Sequence, residues 1–197
     1  MVSYIVSAYD RPDSLPGCLW SLKIQTDQNF EVIVTDNGGT QRNQDAVAAM
    51  NDSRFRYVNT KVVATSPAWD CYWSAEYAVS NLTRGEWICL PSDDSYYVPI
   101  FQAAMLAAAR AGNWNLVYCD MLYDRKITGR YEKLDVQPTV NHIDKTGFLL
   151  RRESWIGFPD KRTDSPGPCD CDGRTIDRLR QSGIRHGKVH ETLCVHN

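Results

Sequence analysis

Short apolar runs alternate with helical patterns along the chain. Residues 2–8 are mostly β-branched or aromatic and predict a strand that stops at the turn cluster Tyr9-Asp10-Arg11-Pro12. Apolar residues then recur every three or four positions over 15–25, which predicts a helix, and residues 30–35 predict a second strand before Asp36. A strand, a helix and a strand in this order form a βαβ unit, so we expect parallel strands joined by a right-handed crossover.

The later pattern continues the alternation of strands and helices. It predicts a weak strand at 55–58, helices at 69–82 and 98–111, strands at 115–119, 145–151 and 188–195, and a helix that opens at Asp172. Residues 121–140 predict a hairpin or loop, and residues 160–171 predict a mobile loop. The chain of 197 residues therefore predicts one α/β domain, with no internal repeat.

The strand at Trp87–Leu90 carries the clearest chemical signal. Four apolar residues between Gly85 and Pro91 indicate a strand buried on both faces, and Asp93 and Asp94 follow it closely. In an open α/β sheet ligands bind beyond the carboxyl ends of the strands. Two adjacent carboxylates there favour a divalent cation, Mg²⁺ or Mn²⁺, that arrives with substrate phosphates. The alternative is that the pair, with Ser95, caps a following helix.

Composition and charge narrow the class of protein. A formal net charge of -2 leaves no basic surplus for a nucleic-acid backbone, so no nucleic-acid partner is expected. No apolar run approaches 18 residues and the start has no signal-type core, which predicts a cytoplasmic protein without a transmembrane segment. Seven scattered cysteines fit a reducing compartment, and Cys169-Asp170-Cys171 lacks a second ligand pair for zinc.

Four segments together resemble family 2 glycosyltransferases. They are 5–12, 31–38, Gly85-Glu86-Trp87-Ile88 and Ser92-Asp93-Asp94, followed by a late acid-helix segment, and the match runs in order from residue 2 to about 196. The resemblance implies an A-type glycosyltransferase fold. This is a single Rossmann-like domain with a central, mostly parallel sheet flanked by helices. Its nucleotide-binding part would lie at about 1–120 and its acceptor-binding part at about 121–197.

The resemblance also implies an activity and its partners. The expected reaction is the metal-dependent transfer of a sugar, with inversion, from a nucleotide-sugar donor to the hydroxyl of a carbohydrate or glycoconjugate acceptor. In the family the turn after the first strand binds the base and ribose, which here falls on Ala8, Tyr9 and Arg11. The acid after the second strand is Asp36, which can accept the imide N–H of uracil and so favours a UDP-sugar. The alternative for Asp36 is an Asx turn with Gly38.

The metal-site residues implied by the resemblance are Asp94, Asp93 and His196, with Asp94 as the direct ligand. Asp93 would contact the ribose or a metal-bound water, and Mn²⁺ or Mg²⁺ would stabilise the leaving diphosphate. The family commonly has an acid where this chain has Pro91. His196 is the second-last residue, and the alternative is a disordered or merely packed side chain.

The catalytic base implied by the resemblance is Asp172, with Asp170 in reserve. Asp172 lies six residues before Arg178-Leu179, and Cys171 stands where the family often has Glu. The structural alternative for Asp172 is the N-cap of its helix. Arg151, Arg152 and Trp155 are expected to border the acceptor site, where an exposed Trp155 ring would stack on a sugar and a buried one would belong to the core.

Two other functions stay open from the sequence. A nucleotidyltransferase uses a similar sheet, but it needs a Gly-rich loop after the first strand, and Tyr9-Asp10-Arg11-Pro12 contains no glycine. A catalytically idle module that binds a nucleotide-sugar or a glycan would retain the fold without the reaction. The departures at Pro91 and Cys171 keep this second function open.

Overall fold

The computed structural model describes residues 1–9, 11–60, 67–124, 129–140, 142–159 and 171–197, with the backbone alone at 67–71. The helices are α1 (Leu15–Lys23), α2 (Gln41–Ala49), α3 (Pro67–Asn81), α4 (Phe101–Gly112) and α5 (Cys171–Gln181). The strands are β1 (Val2–Ala8), β2 (Phe30–Asp36), β3 (Phe55–Asn59), β4 (Trp87–Cys89), β5 (Ser95–Tyr97), β6 (Leu116–Tyr123), β7 (Glu132–Leu134), β8 (Phe148–Arg151) and β9 (His186–His196).

The strands form one sheet in the order β3-β2-β1-β4-β8-β6-β9-β5, with β7 beside β6. The strands β3, β2, β1 and β4 run parallel, as do β6 and β9. β8 lies antiparallel between β4 and β6, and β5 lies antiparallel beside β9. Every residue of β1 and β2 is buried, as expected for parallel strands covered on both faces. The predicted α/β architecture is confirmed, although its second half is a mixed sheet.

The direction of β8 decides which residues reach the carboxyl edge of the parallel strands. Because β8 is antiparallel to β4, its last residue Arg151 pairs with Trp87, the first residue of β4. The chain segment just before β8 therefore lies at the edge where β4 ends. Residues Lys145–Gly147, predicted as part of a strand, form a 3₁₀ turn there, and the Asp144 carboxylate accepts the Thr146 N–H at 2.8 Å.

The acid pair is followed by a strand and not by a helix. β5 starts at Ser95 and pairs with β9, while α4 begins only at Phe101. The helix-capping interpretation of Asp93 and Asp94 is therefore wrong. The mobile loop predicted at 160–171 lies almost entirely outside the described residues. Within those residues no helix combines the length and the hydropathy that a membrane crossing requires.

Candidate active site

Strand ends from three parts of the sheet bring the predicted nucleotide and metal residues together. A β-bridge between Ser7 and Ser92 joins the end of β1 to the loop after β4. Tyr9 donates its backbone N–H to Asp93 Oδ2 at 3.1 Å, and the Arg11 guanidinium forms an ion pair with Asp94. The chain segments predicted to bind the nucleotide and the metal thus form one continuous site.

His196 lies beside Asp94 at the end of β9. Its Nδ1 is 3.8 Å from Asp94 Oδ1 and 3.2 Å from the hydroxyl of Ser95, the residue with which it pairs across the sheet. The ring stacks on Tyr123 with centroids 5.1 Å apart, and the side chain is 13% exposed. His196 is therefore a strand residue facing the acid pair, and the alternative of a merely packed side chain stays open beside the predicted metal ligand.

The two acids have different electrostatic environments. Burial raises the pKa of Asp93 to about 6, and the negative charge of Asp94 adds to the effect, against the Tyr9 N–H and the Arg11 charge. Asp94 Oδ1 is buried and has no hydrogen-bond partner among the described residues. An unpaired buried carboxylate oxygen is costly, so this atom is a ready site for a cation.

Asp172 reaches the same edge from α5. Its Oδ2 accepts the backbone N–H of Lys145 at 3.1 Å, while its Oδ1 is buried without a hydrogen-bond partner in the described part of the chain. Burial, together with the nearby charge of Asp144, raises the pKa of Asp172 to about 6. Asp172 lies inside the first turn of α5 and accepts an amide from another segment, so the N-cap alternative is wrong. Asp170, the reserve base, lies outside the described residues.

The sequence analysis missed Asp144 and Lys145. The Lys145 side chain is buried, and its ammonium donates to Ser92 Oγ at 2.9 Å and to the Leu90 carbonyl at 3.4 Å. An Asp144 carboxylate oxygen lies 4.0 Å from Nε2 of His196, on the side of the ring away from Asp94. The sequence signal for them was a charged pair just before the apolar run 148–150. This signal is weak because the sequence does not show in which direction β8 runs.

Asp36 is wholly buried at the end of β2 beside Ala8. Its carboxylate accepts hydrogen bonds from the backbone N–H groups of Gly38 and Thr40, the Asn43 amide and the Tyr57 hydroxyl. The Asx turn with Gly38 is therefore present. The uracil contact stays a prediction, and Oδ1, which among the described residues accepts a hydrogen bond from the Gly38 N–H alone, is the oxygen with capacity for it.

The structure does not bring the predicted acceptor residues to this site. Arg151 pairs with Glu86 and covers the Trp87 ring at the start of β4, and Arg152 donates to the Thr83 carbonyl at 3.0 Å. Both lie at the amino edge of the sheet, away from the acids. Trp155 is half-buried against the core and donates its indole N–H to Glu76 at 3.1 Å, which agrees with the core alternative.

The residues present fit a divalent cation supplied with a diphosphate. Asp94 Oδ1 and His196 Nδ1 are one carboxylate and one imidazole donor that face each other, a donor set acceptable to Mn²⁺. No group of three or more His, Cys, Asp or Glu side chains in the described chain could hold a metal alone. Two protein ligands leave the remaining positions to phosphate oxygens and water, as Mg²⁺ and Mn²⁺ sites of substrate complexes often do.

The mixed α/β sheet with an acid pair at its carboxyl edge fits the A-type glycosyltransferase fold that the resemblance implied. The profile of the family described as Glycosyl transferase family 2 matches residues 3–158. The chain belongs to this family, which confirms the resemblance and the predicted fold. EpsH of Bacillus subtilis (strain 168), a glycosyltransferase by name, is 25% identical over 154 residues, or 75% of this chain and 41% of EpsH.

Solved structures share the fold. S. aureus TarS 1-349 has a TM-score of 0.77 at 16% identity and covers 100% of this chain and 60% of its own. The mannosyltransferase PcManGT from Pyrobaculum calidifontis, in complex with GDP-Man and Mn²⁺, has a TM-score of 0.74 at 18% identity over 99% of this chain and 56% of its own. TarS 1-349 was also solved with UDP and with UDP-GlcNAc. The chain thus spans about 40–60% of these relatives' lengths.

Proposed function

We propose that this protein is an inverting glycosyltransferase that moves a sugar from a UDP-sugar to a hydroxyl of a glycan or other glycoconjugate. The observation that carries the proposal is Asp94 Oδ1, a buried carboxylate oxygen without a hydrogen-bond partner in the described residues, beside His196 at the carboxyl edge of the sheet. The cost of burying an unpaired carboxylate oxygen is offset when a cation binds to that oxygen.

The donor would lie across the ends of β1, β2 and β4. The chain from Ala8 to Arg11 would contact the base and ribose, with the Arg11 guanidinium able to turn from Asp94 to a phosphate oxygen. Asp93, held by the Tyr9 N–H, would contact the ribose or a metal-bound water. The UDP and UDP-GlcNAc complexes of TarS support a uridine donor, whereas the GDP-Man complex of PcManGT makes the base preference a matter for experiment.

Asp94 and His196 would hold Mn²⁺ or Mg²⁺. When bound, the ion would supply Lewis-acid stabilisation of the negative charge on the departing diphosphate. The imidazole would be oriented from its other nitrogen by Asp144, whose carboxylate lies 4.0 Å from Nε2. The Mn²⁺ complex of PcManGT supports a manganese site in this fold.

Asp172 would act as the general base. Its free oxygen Oδ1 would take the proton of the acceptor hydroxyl while that oxygen attacks the anomeric carbon and the bond from this carbon to the diphosphate breaks. Attack from the face opposite the leaving group inverts the anomeric configuration. Its raised pKa, about 6, keeps the carboxylate ionised at neutral pH while making it a stronger base than an ordinary aspartate.

Release of UDP from a panel of UDP-sugars, offered with p-nitrophenyl glycoside acceptors and Mn²⁺, tests the proposal. We expect turnover by the parent protein and none above background by Asp172→Asn. Thermal-shift measurements with UDP, GDP and CDP, with and without Mn²⁺, report binding separately, because a ligand specific for the native state raises the melting temperature. Nucleotide binding without turnover by the parent would instead identify the idle binding module.

A further inference from the structure

Lys145 touches two parts of the candidate site that the chain supplies from distant segments. Its backbone N–H donates to Asp172 Oδ2 at 3.1 Å. Its ammonium donates to Ser92 Oγ at 2.9 Å and to the Leu90 carbonyl at 3.4 Å. The loop that carries the acid pair and the helix that carries the predicted base are therefore joined through one residue.

Burial of the Lys145 ammonium requires a reason. The residue is 6% exposed, and lysine is almost never fully buried unless its charge is paired. Asp93 and Asp172, both buried, lie close enough for the Lys145 charge to act on each of them. The Arg11 side chain, by contrast, is 55% exposed at the rim. Lys145 is thus a cation placed inside the acidic site, between the predicted donor residues and the predicted base.

The loop after β4 is held to the end of β1 on one side and contacts Lys145 on the other. Pro91 has no N–H, and its carbonyl accepts from Ser7 at 3.1 Å. The Ser92 carbonyl accepts the N–H of Ser95 at 3.1 Å, and the Ser92 hydroxyl is one link to the segment before β8, beside the contact between the Ser95 and Thr146 hydroxyls at 3.0 Å. Removing the ammonium would leave the Ser92 hydroxyl and the Leu90 carbonyl without this donor inside the protein.

We propose that Lys145 is a positioning residue that fixes the Ser92-Asp93-Asp94 loop relative to Asp172 and offsets the acidic charge that a diphosphate must approach. This inference rests on the proposed function, since it names a further determinant of donor binding and turnover at the same site. Without the ammonium, the loop loses its hydrogen bonds to the Lys145 side chain, and a nucleoside diphosphate meets a more negative site. Each of these two effects weakens donor binding and lowers turnover.

Lys145→Met is the direct test, because methionine keeps the apolar stem and the backbone N–H to Asp172. Lys188→Met is a matched control. Its side chain is 8% exposed and pairs with Asp120 at 2.6 Å, but it lies eight residues before His196 on β9, roughly 20 Å away along the strand. Isothermal titration of UDP in the presence of Mn²⁺, and kcat and KM for the UDP-sugar, are measured on both variants.

We expect Lys145→Met to weaken UDP binding about tenfold and to lower kcat at least tenfold, with partial recovery in Lys145→Arg. Lys188→Met should lower the melting temperature but keep the UDP affinity and kcat within about twofold. The lost ion pair with Asp120 lies away from the site, so its removal affects folding and not ligand binding. Equal UDP affinity and kcat in the two methionine variants would overturn the inference.

Two further measurements keep the test decisive. If Lys145→Met does not fold, Ser92→Ala removes the hydroxyl partner alone, and an unchanged UDP affinity in that variant would contradict the inference. If the parent protein binds no nucleoside diphosphate, the proposed function fails, and crystal structures of the two methionine variants then decide. The inference is supported if Ser92 moves by about 1 Å or more relative to Asp172 in Lys145→Met and does not move in Lys188→Met. It is overturned if the two variants have the same Ser92 and Asp172 positions.

Discussion

Arg11 pairs with one oxygen of Asp94 and leaves the other, Oδ1, buried without a hydrogen-bond partner in the described chain. The guanidinium comes from the turn after β1 and the carboxylate from the loop after β4, so the pair closes the space between two neighbouring strand ends. In the ligand-free protein the guanidinium neutralises the Asp94 carboxylate, as a bound metal ion would. Under the proposed function it would compete with that ion for Asp94 and would attract a phosphate.

Arg11→Ala should therefore change metal and nucleotide binding in opposite directions. Without nucleotide, we expect Mn²⁺ to bind at least threefold more tightly, because no guanidinium competes for Asp94. UDP in the presence of Mn²⁺ should bind about tenfold more weakly, because a phosphate-binding cation is lost. Isothermal titration measures both. Arg42→Ala, at an exposed arginine paired with Asp13, is the control and should change neither; weaker binding of both ligands to Arg11→Ala would refute the competition.

Asp94 and His196 should account for the metal-dependent part of nucleotide binding. In Asp94→Asn and in His196→Ala we expect the extra rise in melting temperature that Mn²⁺ gives in the presence of UDP to disappear, because each variant removes one of two protein ligands. Any metal-independent UDP stabilisation should persist. His190→Ala, at an exposed histidine of the same strand, is the control. If His196→Ala kept the full Mn²⁺-dependent rise in melting temperature, the metal would have a protein ligand other than His196.

Much of this arrangement could be predicted from the sequence because its signals are local. The βαβ unit and the buried strand before Asp93 depend on spacing within one segment, whereas the count from Arg178-Leu179 back to Asp172 rests on the resemblance to family 2 glycosyltransferases. The antiparallel direction of β8 depends on pairing with distant strands, and no local pattern encodes it. For this reason the sequence analysis missed Lys145 and placed Arg151 in the site, although the two lie at opposite ends of one short segment.

Asp172→Asn should abolish turnover and leave UDP binding unchanged. A general base contributes about 10²–10⁴-fold to a rate, and asparagine can still accept the Lys145 N–H. In the parent protein kcat should rise with pH through an apparent pKa near 6, the value to which burial and the charge of Asp144 raise Asp172, because the base works when ionised. Turnover of UDP-sugar between pH 5 and 9 measures this, and a flat profile below pH 7 would exclude Asp172 as the base.

The same substitution should stabilise the metal-free protein at high pH. Burial raises the pKa of Asp172 from 3.8 to about 6, so between pH 4 and 6 the folded state binds a proton that the unfolded state has released. The contribution of Asp172 to stability therefore falls as pH rises through this window. Asp172→Asn should gain on the order of 3 kcal/mol at pH 8 and little at pH 4. Urea unfolding at both values measures it, with Asp177→Asn of α5 as the control; an equal gain at both pH values would count against the raised pKa.

Arg151 provides a prediction of no effect on catalysis. Its guanidinium pairs with Glu86 and covers the Trp87 ring at the start of β4, the edge of the sheet opposite to Asp94. Arg151→Ala should therefore leave KM for the acceptor within about twofold of the parent protein and lower the free energy of unfolding by about 1 kcal/mol, the usual range for a partly exposed ion pair with a ring contact. Steady-state kinetics with varied acceptor and urea unfolding test the two parts. A rise of tenfold or more in acceptor KM with unchanged stability would restore Arg151 to the acceptor site and would require the acceptor to extend across the sheet to its amino edge.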